Sequence, residues 1–235
     1  MATSGGFIAT DRWAVMEPGG IMREVLRLTG KDRPRLTFMM TASGDDRAYL
    51  TRSYSAFRGW SVEVDHLELF SMPNTDPRTL LMNSDAIWVG GGSVANLLAV
   101  WRVHGVDEIL AEAWQAGIVL GGVSAGSICW HLGGTTDSFG PTLEPVTNGL
   151  GFLPYGNGVH YDNEGQRRPL LHKLVGDDTL PLSYATDDGV GILYEGIEPV
   201  EVLADRPDTE SAAYRVEKTW DTVVETELPI GRLAD

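Results

Sequence analysis

Short apolar runs rich in β-branched residues alternate with longer runs of helical periodicity in the first half of the chain. The candidate strands cover residues 35–42, 62–69, 86–91 and 117–122. Such alternation is typical of a mostly parallel sheet with helices packed on both faces. We therefore predict a three-layer, doubly wound α/β fold, with residues 1–235 forming one domain because no linker interrupts the pattern.

Residues 93–117 lie between two of these strands and show the pattern of two helices. Apolar residues recur at helical spacing from Val94 to Trp101, and Gly105 supplies a stop before the second helix begins. The strands on either side end at glycines and run into helices. In open parallel sheets ligands bind outside the carboxyl ends of such strands, so we expect the functional site there.

The pattern changes after residue 180 to short strands separated by turn residues. The candidates are residues 181–185, 189–195, 199–204 and 211–217. Asp-Asp-Gly and Glu-Gly are among the turns that separate them. We predict that these are antiparallel or mixed strands that complete the same sheet.

Charge and cysteine content argue against several classes of function. The chain has 18 Lys and Arg against 33 Asp and Glu, a formal net charge of −15 that repels nucleic acids and anionic membranes. The single cysteine, Cys129, cannot form an intrachain disulfide or a cysteine-based zinc cluster. No leader or membrane-spanning segment is evident, which favours the cytoplasm. Exposed members of the seven tryptophans would suit a homodimer contact.

The segment Gly-Val-Ser-Ala-Gly, residues 122–126, carries the strongest chemical signal. It follows a candidate strand and precedes a candidate helix, which is the context in which a nucleophilic serine sits on a sharp, strained turn. The N–H of Ala125 would then point to where an oxyanion forms. Ser124 is therefore the candidate nucleophile. A small serine at a tight strand-to-helix connection is the alternative interpretation.

A serine needs a base, and His160 is the best of the five histidines. It lies between Gly-rich and Pro-containing segments that can deliver a side chain to a cleft. His131 is expected about two turns along the helix that follows Ser124, too far to reach the hydroxyl. The other three, His66, His104 and His172, are interpreted as surface or capping residues.

Three acidic residues are candidates to orient the base. Asp137 and Glu144 lie between the serine and His160 in the chain, and Asp162 is two positions beyond the histidine. The residues alone do not choose among them. The adjacent acidic pair in Thr-Asp-Asp-Gly, Asp187 and Asp188, is interpreted as part of a turn, with Asp187 a candidate to orient the loop that carries the histidine.

A second glycine-rich turn occupies residues 88–98. A phosphate-binding loop is disfavoured because the segment lacks both the full G-x-G-x-x-G spacing and the lysine of a P-loop. Adjacent parallel strands would instead bring the N–H of Gly91 or Gly92 beside that of Ala125. These glycines are therefore candidates for a second oxyanion donor.

Several stretches together resemble the peptidase E and cyanophycinase family of serine peptidases. They are residues 41–46 (TASGDD), 89–110, 116–130, 135–141 (TTDSFGP), 160–169 (HYDNEGQRRP) and 185–194 (ATDDGVGILY). The resemblance implies a class I glutamine-amidotransferase-like, flavodoxin-like fold and an exopeptidase-like reaction on short peptides through an acyl-enzyme, without metal or cofactor. It implies these roles: nucleophile Ser124, base His160, acid Asp137, and an oxyanion hole from Gly91, Gly92 and Ala125.

Two departures from the family pattern concern substrate recognition. Ser93 stands where the family commonly has asparagine after the glycine run, so it is a candidate to bind substrate through a polar contact that is lost or altered relative to the family. The loop after His160 is short and soon reaches Arg167 and Arg168, which are candidates to bind a substrate carboxylate. The alternative is that both arginines solvate the start of a helix. We therefore do not assume specificity for an amino-terminal aspartate.

The leading hypothesis is a serine peptidase that hydrolyses dipeptides or other short peptides. One alternative is a non-catalytic paralogue that keeps the fold and binds a small molecule or peptide. Another is a carboxylesterase of the α/β-hydrolase kind. That class normally places its histidine near the end of the chain, and no histidine follows His172.

Overall fold

The structure, a computed structural model, describes residues 1–233, which contain sixteen strands and seven α-helices. The strands are β1 (Ala2–Thr3), β2 (Phe7–Ala9), β3 (Met16–Pro18), β4 (Arg35–Met39), β5 (Glu63–Leu67), β6 (Ala86–Val89), β7 (Val119–Val123), β8 (His131–Thr136), β9 (Glu144–Val146), β10 (Leu153–Gly158), β11 (Ser183–Thr186), β12 (Val190–Glu195), β13 (Glu198–Ala204), β14 (Ala213–Thr219), β15 (Thr222–Leu228) and β16 (Gly231–Arg232). The helices are α1 (Gly20–Leu28), α2 (Arg47–Ala56), α3 (Pro77–Met82), α4 (Val94–His104), α5 (Val106–Gln115), α6 (Ala125–Ile128) and α7 (Arg167–Gly176).

The strands form two large mixed sheets and one hairpin. The first sheet has the order β16-β13-β12-β1-β7-β6-β4-β5. Its five strands β1, β7, β6, β4 and β5 run parallel to one another. The second has the order β15-β14-β11-β10-β8-β9, with β8, β10 and β11 parallel. The separate hairpin pairs β2 with β3. The carboxyl ends of the parallel strands within each sheet therefore meet at one edge.

The first sheet is buried on both faces by helices. Phe38 and Trp88 pack with residues of α1 and α2 in one apolar cluster. Their chain neighbours Met39 and Val89 point the other way and pack with α3, α4 and α5. The three-layer α/β prediction is therefore confirmed, and continuous burial on both faces explains why these strands read as uninterrupted apolar runs.

The predicted break between α4 and α5 is also confirmed. Gly105 ends α4 in the left-handed conformation, with φ of 65°, which glycine adopts without steric cost. At the other end of α4, Ser93 Oγ accepts a hydrogen bond from Asn96 N at 3.2 Å. This serine, expected to touch substrate, is thus occupied as the N-cap of the helix.

Two sequence predictions need correction. Residues beyond 180 complete two sheets and not one, because β12 and β13 join the first sheet while β11 and β14 join the second.

The helix after Ser124 ends at Ile128, and His131 begins β8. A Cβ atom on Gly133 would lie 2.0 Å from Val146 O, so this glycine run serves close strand packing that helical periodicity does not reveal.

The amino-terminal strand β1 was not predicted, yet it lies near the middle of the first sheet. Ala2 and Thr3 pair in parallel with β7 and antiparallel with β12. Two residues are too few to show a periodic pattern. The strand matters for function because β7 carries the candidate serine at its end.

Within residues 1–233, no helix combines the length with the apolar character that crossing a bilayer requires.

Two tryptophans are almost fully exposed at the tips of hairpins. Trp13, between β2 and β3, is 96% exposed, and Trp220, between β14 and β15, is 91% exposed. They are the residues on which the expected homodimer contact would depend. That contact stays a prediction.

Candidate active site

Ser124 lies on a strained turn between β7 and α6. Its backbone has φ of 58° and ψ of −115°, a conformation that non-glycine residues rarely adopt. The flanking glycines make the turn possible: a Cβ atom would lie 2.3 Å from Gly126 O if built on Gly122, and 2.2 Å from Val89 O if built on Gly126. Ser124 N donates to Thr3 O at 3.0 Å. The sequence therefore folds locally into a strained turn that presents the serine at the end of its strand.

Two turns that meet at the serine carry backbone N–H groups without protein acceptors in the part of the chain that the structure describes. A Cβ atom on Gly91 would lie 3.2 Å from Ser124 Cβ and 3.7 Å from its Oγ, so the two turns are in close contact. Within residues 1–233, the N–H groups of Gly91 and Gly92 donate to no protein acceptor. Ala125 is the first residue of α6, where an N–H has no intrahelical partner. These three N–H groups are available to stabilise negative charge on a reacting oxygen.

Substitution of Gly92 by alanine should be strongly destabilising. The residue has φ of 134°, and a Cβ atom would lie 2.3 Å from Ala42 O. We expect the free energy of unfolding to fall by about 2–5 kcal/mol, from backbone strain plus overpacking. Urea denaturation measures this. Gly30→Ala is the matched control, because Gly30 also has positive φ, of 66°, but open space around it; it should cost only about 1–2 kcal/mol. Equal losses in both variants would contradict the packing argument.

His160 lies just after β10 and contacts an acid that the sequence analysis assigned to a turn. Its Nδ1 is 2.5 Å from Asp188 Oδ1. The second carboxylate oxygen of Asp188 accepts from Asn163 Nδ2 at 2.9 Å. Asp188 N donates to Asp162 Oδ1 at 2.9 Å. The segment from His160 to Asn163 thus holds both the carboxylate and the backbone of Asp188, and the pair fixes the orientation of the imidazole.

The structure places the predicted acids elsewhere. Within residues 1–233, Asp137 makes no hydrogen bond to His160, and it lies exposed in the turn after β8. Glu144 is exposed on β9, where it faces Thr136. Asp162 supports the acid and not the base. In this structure the carboxylate that contacts His160 is therefore that of Asp188, in the turn after β11, and not that of Asp137 at the end of β8.

Asp187 and Asp188 are neighbours with different surroundings. Asp187 is 3% exposed, and its Oδ2 accepts from Ala212 N at 2.9 Å and from Tyr214 Oη at 3.1 Å. Burial raises the pKa of this carboxyl. Asp187 therefore ties the turn to β14, and within residues 1–233 it makes no hydrogen bond to the loop that carries His160, which it was expected to orient.

The two candidate substrate-binding arginines are engaged within the protein. Arg167 is 2% exposed and donates to Glu164 Oε2 at 2.7 Å and to Thr135 O at 2.6 Å. Arg168 donates to Glu225 Oε1 at 2.6 Å, and its guanidinium lies 4.6 Å from the ring centres of two tyrosines, Tyr161 and Tyr214. These contacts favour structural roles for both arginines.

Nucleophile and base belong to different sheets. Ser124 follows β7 of the first sheet, while His160 follows β10 of the second. No hydrogen bond joins Ser124 Oγ to His160 within the part of the chain that the structure describes. Such bonds are often long in the absence of substrate and tighten in the complex.

Within residues 1–233, no cluster of three His, Cys, Asp or Glu side chains is arranged to hold a metal ion.

Sequence comparison identifies the family. The profile of "Peptidase family S51" matches residues 16–201. "Uncharacterized peptidase YgaJ" of Bacillus subtilis (strain 168) is 38% identical over 217 residues, which cover 92% of this chain and 93% of that protein. "Peptidase E" of Shewanella denitrificans is 30% identical over 158 residues, covering 63% of this chain and 65% of that protein.

Solved structures share the fold at low sequence identity. A peptidase from an acI-B1 Actinobacterium superposes with a TM-score of 0.66 at 14% identity, over 88% of this chain and 90% of that one. A putative peptidase E from Listeria monocytogenes EGD-e gives a TM-score of 0.53 at 17% identity, over 97% of this chain and all of that one. The chain therefore belongs to peptidase family S51 and is a serine-type peptidase.

Proposed function

We propose that the protein hydrolyses dipeptides and other short peptides from their amino end through an acyl-enzyme on Ser124. The observation that carries this proposal is the 2.5 Å contact between His160 Nδ1 and Asp188 Oδ1 at the loops beside the strained serine turn. An oriented histidine is what a serine hydroxyl needs to become a nucleophile. The relatives named peptidase E support peptide hydrolysis as the reaction.

In the proposed first half-reaction, His160 Nε2 takes the proton of Ser124 Oγ as the oxygen attacks the substrate carbonyl. The oxyanion that forms is stabilised by the N–H groups of Gly91, Gly92 and Ala125. Collapse of the tetrahedral intermediate breaks the C–N bond, and the departing amine takes the proton from His160. An ester between Ser124 and the acyl part of the substrate remains.

Water completes the proposed cycle. His160 takes a proton from the water molecule, and the resulting hydroxide equivalent attacks the ester carbonyl. The second tetrahedral intermediate uses the same N–H donors. Its collapse breaks the C–O bond to Ser124, and His160 returns the proton to the serine oxygen. Throughout, Asp188 keeps the proton of the neutral imidazole on Nδ1 and stabilises the imidazolium.

The test is hydrolysis of dipeptides and aminoacyl anilides that carry Asp, Glu, Leu, Ala or Lys at the amino-terminal position. N-acetylated copies of each substrate test whether a free amino terminus is required. We expect cleavage of free substrates, little cleavage of acetylated ones, and no cleavage by Ser124→Ala. Equal cleavage of free and acetylated substrates would overturn the exopeptidase assignment, and equal cleavage by Ser124→Ala would overturn the serine mechanism.

A further inference from the structure

Ser4, just beyond the end of β1, is a buried serine. It lies where the loop that carries His160 meets the turn that carries Asp188. It is 6% exposed. Its Oγ accepts from His160 N at 3.0 Å, donates to Thr186 O at 3.0 Å, and lies 2.7 Å from Thr186 Oγ1. Its backbone N donates to Val190 O at 2.8 Å, and its carbonyl accepts from Gly189 N at 3.1 Å. One residue therefore holds both the histidine loop and the two ends of the acid turn.

The preceding residue, Thr3, holds the nucleophile turn in the same way. Thr3 O accepts from Ser124 N at 3.0 Å, and Thr3 Oγ1 donates to Gly122 O at 3.2 Å. Consecutive residues of one segment thus contact Ser124 and His160. No direct hydrogen bond joins Ser124 to His160 within residues 1–233, and this segment is one hydrogen-bonded connection between their two loops.

The backbone of His160 needs this support. Its φ is 52°, in the left-handed region that a non-glycine residue occupies at a cost. Its N–H donates to Ser4 Oγ, and without that acceptor a part-buried donor would be left unpaired. A relaxed His160 backbone would move the imidazole away from Asp188 and from the serine.

The hydroxyl group suits the position because it donates and accepts at the same time. Its single proton goes to Thr186, which leaves a lone pair for the N–H of His160. Alanine at position 4 offers neither function. Threonine keeps both and adds one methyl group.

We propose that Ser4 is a positioning residue for catalysis, whose hydroxyl holds His160 where its ring serves both Ser124 and Asp188. The inference rests on the proposed function, in which His160 is the base. Ser4 itself contacts no reacting atom and acts through the backbone of the histidine.

The experiment compares Ser4→Ala with Ser53→Ala. Ser53 is also a buried serine, with 0% exposure and a hydrogen bond from Oγ to Tyr49 O at 3.0 Å, but it belongs to α2 outside the site. For Ser4→Ala we expect kcat to fall roughly tenfold, the effect of one lost hydrogen bond on the transition state, with KM nearly unchanged. Ser4→Thr should restore most of kcat, and Ser53→Ala should leave kcat at the wild-type level.

Two further readouts report the position of His160 without peptide hydrolysis. A proton on Nδ1 hydrogen-bonded to Asp188 is expected to give a far-downfield ¹H NMR signal, which should shift or broaden in Ser4→Ala and stay in Ser53→Ala. The rate at which a fluorophosphonate labels Ser124 should fall in Ser4→Ala in parallel with kcat. Wild-type protein that is labelled but cleaves no peptide would remove the proposed function and leave this inference testable.

Wild-type kcat, NMR signal and labelling rate in folded Ser4→Ala would overturn the inference. A loss of kcat in Ser53→Ala as large as in Ser4→Ala would also overturn it, because stability alone would then explain the effect. If Ser4→Ala does not fold, Ser4→Cys takes its place, since the thiol keeps the size and weakens the hydrogen bonds. In that variant a smaller loss of kcat, roughly threefold, is expected, and wild-type activity would contradict the role.

Discussion

Replacement of Ser124 by alanine is expected to lower kcat on short peptides by roughly four to six orders of magnitude. The alanine variant keeps the turn and the N–H groups of Gly91, Gly92 and Ala125, so substrate binding should change little. It loses the oxygen that forms the acyl-enzyme. Single-turnover and steady-state assays of purified variant measure the loss, and residual activity near that of the wild type would mean that another residue is the nucleophile.

Ser124→Gly should be equally inactive but more stable than the wild type. The serine has φ of 58° and ψ of −115°, which glycine adopts without the strain that a Cβ atom brings. We expect a gain of about 1 kcal/mol in the free energy of unfolding, or roughly 2–4 °C in Tm. Calorimetry on the wild type, Ser124→Ala and Ser124→Gly checks this. A glycine variant less stable than Ser124→Ala would show that the turn stores no such strain.

Replacement of Asp188 by asparagine should lower kcat by roughly three to four orders of magnitude. Asparagine at this position cannot stabilise the imidazolium, and its amide group favours the wrong tautomer of His160. The matched control is Asp137→Asn, the same chemical change at an exposed residue with no hydrogen bond to His160 in the described chain. Its effect should be no more than about twofold to threefold.

The paired result separates the two acids clearly. A large loss in Asp188→Asn with a small loss in Asp137→Asn supports the geometry. A large loss of kcat in Asp137→Asn with a small loss in Asp188→Asn would mean that the loop after β8 approaches His160 during the reaction. The bond to Asp188 would then be structural. Circular dichroism and denaturation of both variants serve as the control for folding.

The part of the site that was predictable from the sequence is local. Ser124, its flanking glycines and the turn at Gly91 are encoded within short strand-turn-helix segments, so their context can be recognised from neighbouring residues. The parallel strands of the first sheet were recognisable for the same reason, because burial on both faces produces continuous apolar runs.

The contact between His160 and Asp188 was not predictable because it depends on the pairing of distant strands. Gly158 of β10 is opposite Ala185 of β11 in a parallel register, so His160 and Asp188 emerge at the same edge of the second sheet. Nothing near Asp188 in the chain distinguishes it from an acidic turn residue. The sequence signal for this contact was the joint presence of His-Tyr-Asp-Asn (160–163) and Thr-Asp-Asp-Gly (186–189). Side chains of the first segment bind Asp188 of the second.

The amino-terminal segment was missed for a related reason. Thr3 and Ser4 show no periodicity and carry no catalytic motif, and their importance arises only from contacts with residues more than a hundred positions away. The helix predicted after Ser124 was too long because the actual helix has four residues, too few to show a periodic pattern. The glycines that follow belong to β8, where they allow close strand packing.

Covalent trapping of the nucleophile tests most directly whether Ser124 is the residue that attacks the substrate. Folded wild-type protein is treated with a fluorophosphonate, and the adduct is located by intact mass and then by peptide mapping. We expect a single adduct on Ser124 that is lost in Ser124→Ala and forms far more slowly in Asp188→Asn. An adduct on a different residue, or peptide cleavage that continues with Ser124 unmodified, would contradict it.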